Sequence, residues 1–397
     1  MSFWKLSRQA TVSLALLVSV PLQVSAQTIT SVTPTTVNVV ATSNSPIPVI
    51  AAKAWILVDS VTGQIIAAQH PEQQVEPASL TKIMTAYLAF EALKENRITL
   101  DQQVTVSEKA WKTPGSRMFI EPRKPVTVDE LIQGIVVQSG NDASVAMAEL
   151  LSGTESAFAQ QMTEKARELG MTDTTFKNSN GLPDAQHTTT VRDLALLAQR
   201  MIADHPGRYA VYSQREFTYN KIKQANRNRL LWADPSVDGM KTGHTDAAGY
   251  CLIATAKRGD RRIISVLVGA DSEATRAEES LKLLNWAFQN FDTVKLLDAG
   301  KPAVQARVWE GTTEVANLGS VDPVWLTLPR GKTGEVKLVA QRPDPLLAPL
   351  SAGQRVGSVT LMLEDKPLRV LPLDVLTAVE RAGFFGRALD QFKLWLQ

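Results

Sequence analysis

The sequence predicts an α/β domain with an antiparallel sheet and helices, followed by a small all-β domain and a C-terminal amphipathic helix. Three observations carry this reading. Strand-like runs stand at both ends of residues 49–290, with helical stretches between them. After residue 290, short Val- and Leu-rich runs alternate with Gly, Pro and Asp turns. Residues 384–397 gather their aromatic side chains on one face of a helix.

The elements follow in chain order. Lys5 and Arg8 precede a mostly apolar run over residues 10–22, and Val24-Ser25-Ala26 resembles a small-residue cleavage site. This pattern predicts a secretory signal peptide over residues 1–26, too short and wrongly flanked for a stable spanning helix. Cleavage after Ala26 takes the formal net charge from +2 to about 0. Residues 27–48 are Thr, Ser, Asn, Val and Pro without a period, a linker. Residues 55–59 and 63–68 read as two strands around a turn. Pro77 and the apolar run over residues 78–88 read as a helix start. Residues 192–201 predict a helix, 249–256 and 261–269 strands, and 280–290 a helix carrying Leu281, Leu284, Trp286 and Phe288. Runs at 304–309, 324–328, 336–340, 356–363 and 368–373 make residues 291–378 a β-sandwich-like domain.

In the terminal segment, residues 380–397, the side chains of Phe384, Phe385, Ala388, Leu389, Phe392, Trp395 and Leu396 fall within an arc of roughly 140°. Arg387, Asp390, Gln391, Lys393 and Gln397 occupy the remainder, with Leu394 the misfit. Such a face suits an in-plane membrane anchor, with Phe385, Phe392 and Trp395 in the lipid interface. The competing reading is a helix that docks onto its own β module.

Composition narrows the function. No basic stripe is interleaved with aromatics, so no nucleic acid is expected. The single Cys251 cannot form an internal disulfide, and its strand-like setting suits buried packing. His70, His187, His205 and His244 lack metal-ligand spacing, so neither a metal nor another cofactor is expected.

Three short strings carry chemistry: Ser79-Leu80-Thr81-Lys82, Ser139-Gly140-Asn141 and Lys241-Thr242-Gly243. A serine hydroxyl is a weak nucleophile until a base takes its proton. At i and i+3 on a helix, Ser79 and Lys82 share a face. A lysine buried among apolar groups can lose its proton near neutral pH and serve as that base. The first turn of a helix also favours developing negative charge. Ser139 and Asn141 follow an apolar run, and Lys241-Thr242-Gly243 precedes a strand, where a small Gly lets a substrate backbone lie close. A second Lys-Thr-Gly, Lys332-Thr333-Gly334, sits between strand-like runs and reads as a hairpin turn rather than a catalytic element.

These strings, their order and spacing, Lys241-Thr242-Gly243-His244-Thr245 and the C-terminal pattern resemble the low-molecular-weight penicillin-binding proteins. Within that family the chain resembles a serine D-alanyl-D-alanine carboxypeptidase, from about residue 50 to the end. The resemblance implies a β-lactamase-like penicillin-binding domain, a β domain and a membrane-associated helix. It implies peptidoglycan stem peptides as substrates and β-lactams as covalent inhibitors. The implied location is the periplasmic side of the inner membrane. It implies Ser79 as the acylated nucleophile and Lys82 as its base. Ser139 and Lys241 would relay a proton to the leaving amine, and Asn141 would hold the substrate backbone. The oxyanion hole would come from the backbone N–H groups of Ser79 and His244. Arg276, with Thr242 nearby, would receive the terminal carboxylate.

Other readings stay open at this point. An endopeptidase acting on crosslinks is the nearest. A hydrolytic β-lactamase of class A has Asp where Gly140 stands and needs a deacylating glutamate, which residues 177–190 lack. A β-lactam or muropeptide sensor, or a wall-binding module with a decayed site, would be non-enzymatic. His187 would order its loop, and Ser116 and Arg117 lie in a loop adjacent to the site.

Overall fold

The structure, a computed structural model, describes residues 45–396. The expected signal peptide, with Lys5, Arg8 and Val24-Ser25-Ala26, and residues 27–44 of the expected linker lie outside the described residues.

A five-stranded sheet forms the frame of the first domain. Its order is Ile65–Gln69, Ala54–Asp59, Arg261–Ala270, Gly249–Arg258 and Val237–Thr245, with every neighbouring pair antiparallel. Both faces are covered. Ile56, Val58, Ile253, Ile264 and Val266 point into one apolar core. Trp55, Leu57, Leu252, Ala254 and Leu267 point into a second. Burial on both faces explains why these strands read as unbroken apolar runs rather than as alternating patterns.

The first core is filled by helices Lys82–Lys94, Asn141–Ser152, Glu155–Glu168 and Val191–Asp204. Helix Lys82–Lys94 is central, and all of its residues from Lys82 to Leu93 except Glu91 are buried. An apolar sequence on every side is what such a position requires. The second core is covered by helix Glu273–Asn290, capped by the Ser272 hydroxyl, which accepts from Thr275 N at 3.0 Å. This helix begins earlier than residue 280, so Arg276 lies inside its first turns rather than ahead of it. The cap is a serine followed by a glutamate, a start signal hidden among polar residues.

The chain passes from Asn290 directly into strand Phe291–Leu297, which pairs with Val324–Pro329. A six-stranded sheet follows, ordered Lys337–Gln341, Arg355–Leu363, Lys366–Val375, Val315–Gly319, Pro302–Trp309 and Leu346–Leu347. Its core holds Val308, Leu318, Leu326, Leu361 and Leu373. The seam to the first domain is polar. Thr327 N donates to Gln64 Oε1 at 2.6 Å, and the Thr62 and Thr327 hydroxyls lie 2.7 Å apart. Lys332-Thr333-Gly334 is a turn far from the other motifs, with Lys332 paired to Glu335 at 2.8 Å and Glu364 at 3.1 Å. It is not a hairpin, because the strands on either side pair with different partners.

Helix Phe384–Trp395 ends the described chain. Its polar edge is docked: Asp390 Oδ2 accepts from Glu310 N at 2.8 Å, and Gln391 Nε2 donates to Glu310 Oε1 at 2.9 Å. Its apolar face is uncovered, with Phe385 87% and Trp395 79% exposed and Phe392 exposed as well. Among the described residues no helix is long and apolar enough to cross a membrane.

Candidate active site

The three motifs converge on one pocket of about 300 Å³, lined by Ser79, Ser139, Asn141, Thr242, Gly243, His244 and Arg276 among others. Ser79 stands in a short 3-10 turn, Ala78–Thr81, which runs into helix Lys82–Lys94. The sequence reading placed Ser79 in the first α-turn. The tighter turn keeps the i, i+3 relation, and Lys82 Nζ lies 2.9 Å from Ser79 Oγ.

Lys82 is only 1% exposed. Its Nζ also reaches Asn141 Oδ1 at 2.7 Å and the Asn180 carbonyl at 2.6 Å. The orientation of the Asn141 amide is fixed by its other end, where Nδ2 donates to the Pro114 carbonyl at 2.7 Å. Oδ1 must therefore face the lysine. A neutral amine has two N–H bonds and one lone pair. The two acceptors Asn141 Oδ1 and Asn180 O take the hydrogens, which leaves the lone pair aimed at the Ser79 hydroxyl. Burial, helped by the Arg227 guanidinium and opposed by Asp142, brings the Lys82 ammonium down to about 7.

Ser139 ends a widened helical turn, Gly134–Gln138, and adopts a left-handed conformation at φ 66°. That conformation turns the chain so that Ser139 lines the pocket and Asn141 opens the next helix. Lys241, Thr242, Gly243 and His244 lie within the edge strand Val237–Thr245 itself. Lys241 is buried, and its Nζ donates to the Thr242 carbonyl at 3.0 Å. Burial first, then the neighbouring Lys82, Arg227 and Arg276 charges, hold it well below the usual lysine range.

Gly243 lines the pocket and has a further role in the packing. A Cβ there would meet Ala78 Cβ at 3.2 Å, the Pro77 carbonyl at 3.3 Å and Ser79 N at 3.3 Å. The missing side chain lets the edge strand close on the nucleophile turn, a packing role that the sequence alone does not show. Arg276 Nη1 donates to the Gly243 carbonyl at 3.2 Å, Nη2 lies 3.6 Å from Glu273, and the guanidinium stands over the Tyr250 ring. His244 is exposed, with its ring 4.1 Å from that of Tyr250. Phe385, Phe392 and Trp395 belong to the terminal helix and do not line this pocket.

His187 orders its loop. Its Nδ1 accepts from Lys177 N at 3.1 Å, so Nε2 carries the hydrogen and donates to Thr81 Oγ1 at 2.9 Å. Burial pushes the imidazole down to about 4, so it stays neutral. Cys251 is buried and its thiol is pushed up to about 11 by desolvation, consistent with packing.

Sequence reasoning missed several contributors. Arg227 is an exposed guanidinium on the pocket wall between the buried Asn226 and Asn228. Asn180 contributes through its backbone carbonyl, which no side-chain pattern reveals. Asp142 could have been suspected as an acid directly after the Ser-x-Asn string. It is fully buried and accepts from the backbone N–H groups of Met118, Phe119, Ile120 and Ala143 at 2.9 to 3.2 Å. Those bonds pin the loop containing Gly115 and Ser116, whose Ser116 carbonyl accepts from Asn141 N at 2.7 Å. Ser116 lines the pocket, and Arg117 contributes its carbonyl to Gln224 at 3.0 Å.

A serine and a buried lysine at hydrogen-bond distance, on a two-sided antiparallel α/β frame, define a serine acyl-transfer enzyme. Residues 39–272 match the family described as D-alanyl-D-alanine carboxypeptidase, and residues 291–381 match the C-terminal domain of penicillin-binding protein 5. The chain is 43% identical to D-alanyl-D-alanine carboxypeptidase DacC of Escherichia coli (strain K12), over 86% of this chain and 88% of that protein. It superposes on penicillin-binding protein 5 from Haemophilus influenzae with a TM-score of 0.82 and 40% identity, over 85% of this chain and 100% of the other. The ampicillin-bound form of penicillin-binding protein D2 from Listeria monocytogenes matches with a TM-score of 0.57 and 30% identity, over 62% of this chain and 100% of the other. The chain belongs to the D-alanyl-D-alanine carboxypeptidase family and is a serine hydrolase of that activity.

The Asp142 contacts generate a test. Asp142→Ala would leave up to four backbone N–H groups buried and unpaired, a loss of about 2–4 kcal/mol of unfolding free energy. It should also slow acylation by loosening the Gly115–Ser116 loop against Asn141. Denaturant unfolding and acylation rates check both, and unchanged values would remove Asp142 from the support of the site.

Proposed function

We propose that the chain removes the terminal D-alanine of peptidoglycan stem pentapeptides through an acyl-enzyme on Ser79. The observation that carries this is the placement of Lys82 Nζ, 2.9 Å from Ser79 Oγ and held by two acceptor oxygens, Asn141 Oδ1 and the Asn180 carbonyl. Lys82 takes the hydroxyl proton as Ser79 Oγ bonds to the penultimate D-alanine carbonyl. The oxyanion is met by the backbone N–H groups of Ser79 and His244, a reading supported by the packing of Gly243 against Ser79 N. Ser139 and Lys241 relay the proton to the amine of the last D-alanine as its C–N bond breaks. Water then attacks the ester carbonyl, Lys82 takes a proton from it, and Lys82 passes that proton to Ser79 Oγ as the acyl C–O bond breaks.

Asn141 has one amide hydrogen left for the substrate backbone after its bonds to Lys82 and Pro114. Thr242 and Arg276 receive the terminal carboxylate, although Glu273 already balances part of the arginine's charge. Penicillins acylate the same serine, in line with the ampicillin-bound relative.

The mature protein works on the periplasmic side of the inner membrane, exported by residues 1–26. It is attached there by the helix Phe384–Trp395, whose docked edge is polar and whose free face is aromatic. Burying Phe385, Phe392 and Trp395 contributes several kcal/mol, on the order of 25 cal/mol per Å² of apolar area. That gives reversible attachment and falls short of a spanning helix.

Ser79→Ala should abolish peptide cleavage and covalent penicillin labelling together; a penicillin adduct in the intact mass of that variant would sink the assignment. Arg276→Ala should cut hydrolysis of peptides with a free D-alanine end much more than penicillin acylation at saturating drug, since charge-assisted pairs to arginine are among the stronger contacts. Equal losses on an amidated peptide would show that Arg276 does not read the carboxylate. Deleting residues 380–397 should release the protein from anionic vesicles without loss of hydrolysis in solution. If both forms pellet equally, or the β domain unfolds, the anchor reading fails.

A further inference from the structure

We propose that Glu155 is a positioning residue for the catalytic base, acting through the backbone carbonyl of Asn180. The proposal rests on Lys82 being that base.

Glu155 opens helix Glu155–Glu168, well outside the motifs, and its side chain is largely buried. One carboxylate oxygen, Oε1, accepts from Ser179 N at 3.2 Å, Ser179 Oγ at 2.8 Å and Asn180 Nδ2 at 3.2 Å. The other, Oε2, pairs with Lys109 at 2.8 Å. Burial alone would raise this carboxyl, but the bonds from Lys109 and Ser179 hold it below the ordinary range. The same dipeptide is gripped from the opposite side. Thr85 Oγ1 donates to the Ser179 carbonyl at 2.6 Å, and Lys82 Nζ donates to the Asn180 carbonyl at 2.6 Å. Thr85 and Lys82 lie on the nucleophile helix, one turn apart. The segment Ser179–Asn180 is therefore a strut between the Glu155 carboxylate and the base.

The strut matters because the lone pair of Lys82 has no other constraint on that side. Without the Asn180 carbonyl, one amine hydrogen loses its acceptor and the amine can rotate away from Ser79 Oγ. A backbone carbonyl cannot be deleted by substitution, but its anchor can. The other charged or titratable groups around Lys82 are Arg227 from the loop before helix Leu230–Ala233, Asp142 from helix Asn141–Ser152, Lys241 from the edge strand and His187 from the adjacent loop. None of them is touched by a change at Glu155.

The test is the pH dependence of kcat/KM for peptide hydrolysis and of penicillin acylation, in the wild type and in Glu155→Ala, Glu155→Gln, Ser179→Ala and Lys82→Ala. Glu155→Ala should reduce both rates on the order of ten- to a hundredfold, the scale of a misplaced catalytic group. It should also move the acidic limb to lower pH, because the ammonium form of Lys82 loses an acceptor. Glu155→Gln keeps an oxygen acceptor for Ser179 and Asn180 and should restore the rate to within about threefold with the limb unmoved. Ser179→Ala, which removes only the Oγ donor, should move the limb the same way by less, and stands in if Glu155→Ala does not fold. A fall in rate with an unmoved limb, or a Glu155→Ala variant within twofold of wild type, would overturn the proposal while Lys82→Ala remains inactive. An active Lys82→Ala enzyme would instead overturn the assignment of the base.

Discussion

Everything at this site depends on keeping the Lys82 amine out of water. An exposed lysine at neutral pH is an ammonium and accepts no proton. Desolvation shifts the balance toward the neutral amine. The chain achieves this by placing Lys82 at the start of a helix whose remaining faces pack into the core of the domain. Core packing and base strength are thus one property. The long apolar run after Ser79 fills the interior and also strips water from the residue that activates the nucleophile.

The rest of the domain shapes what faces that amine. The edge strand closes on the nucleophile turn through Gly243 and brings a second buried lysine, Lys241, alongside. Lys82 disfavours a proton on the buried Lys241, and Arg227 disfavours one on either lysine. Asp142 opposes it while holding the Gly115–Ser116 loop. The result is a base poised near neutrality with its hydrogens assigned to Asn141 and Asn180, and its lone pair assigned to Ser79.

Much of the frame was legible in the sequence because local patterns decide it. The strands around residues 55–68 and 249–269 and the β runs after residue 290 stand close to where periodicity places them. Short strands such as Leu346–Leu347 and Val315–Gly319 escaped notice, since a few residues carry little pattern. The start of helix Glu273–Asn290 was hidden by its polar first turns. The catalytic strings were found by residue type and spacing, but the role of Gly243 was not, because the atoms it makes room for are about 165 residues away in the chain. Asn180 and Glu155 were invisible for a related reason: one acts through its backbone, and the other through a contact set by the fold. The terminal helix was read as an apolar face, and its docked polar edge at Glu310 appears only in three dimensions.

The central claim is that Lys82 titrates near neutrality, so that much of it is free amine at working pH. Lysine carrying a carbon-13 label at the ε position, with the Lys82 resonance assigned by its absence in Lys82→Ala, can be titrated by NMR in the folded, unacylated enzyme. The account predicts a midpoint near 7, far below the ordinary 10.5. A midpoint at the ordinary lysine value would contradict it and move the search for the base to another group in the pocket.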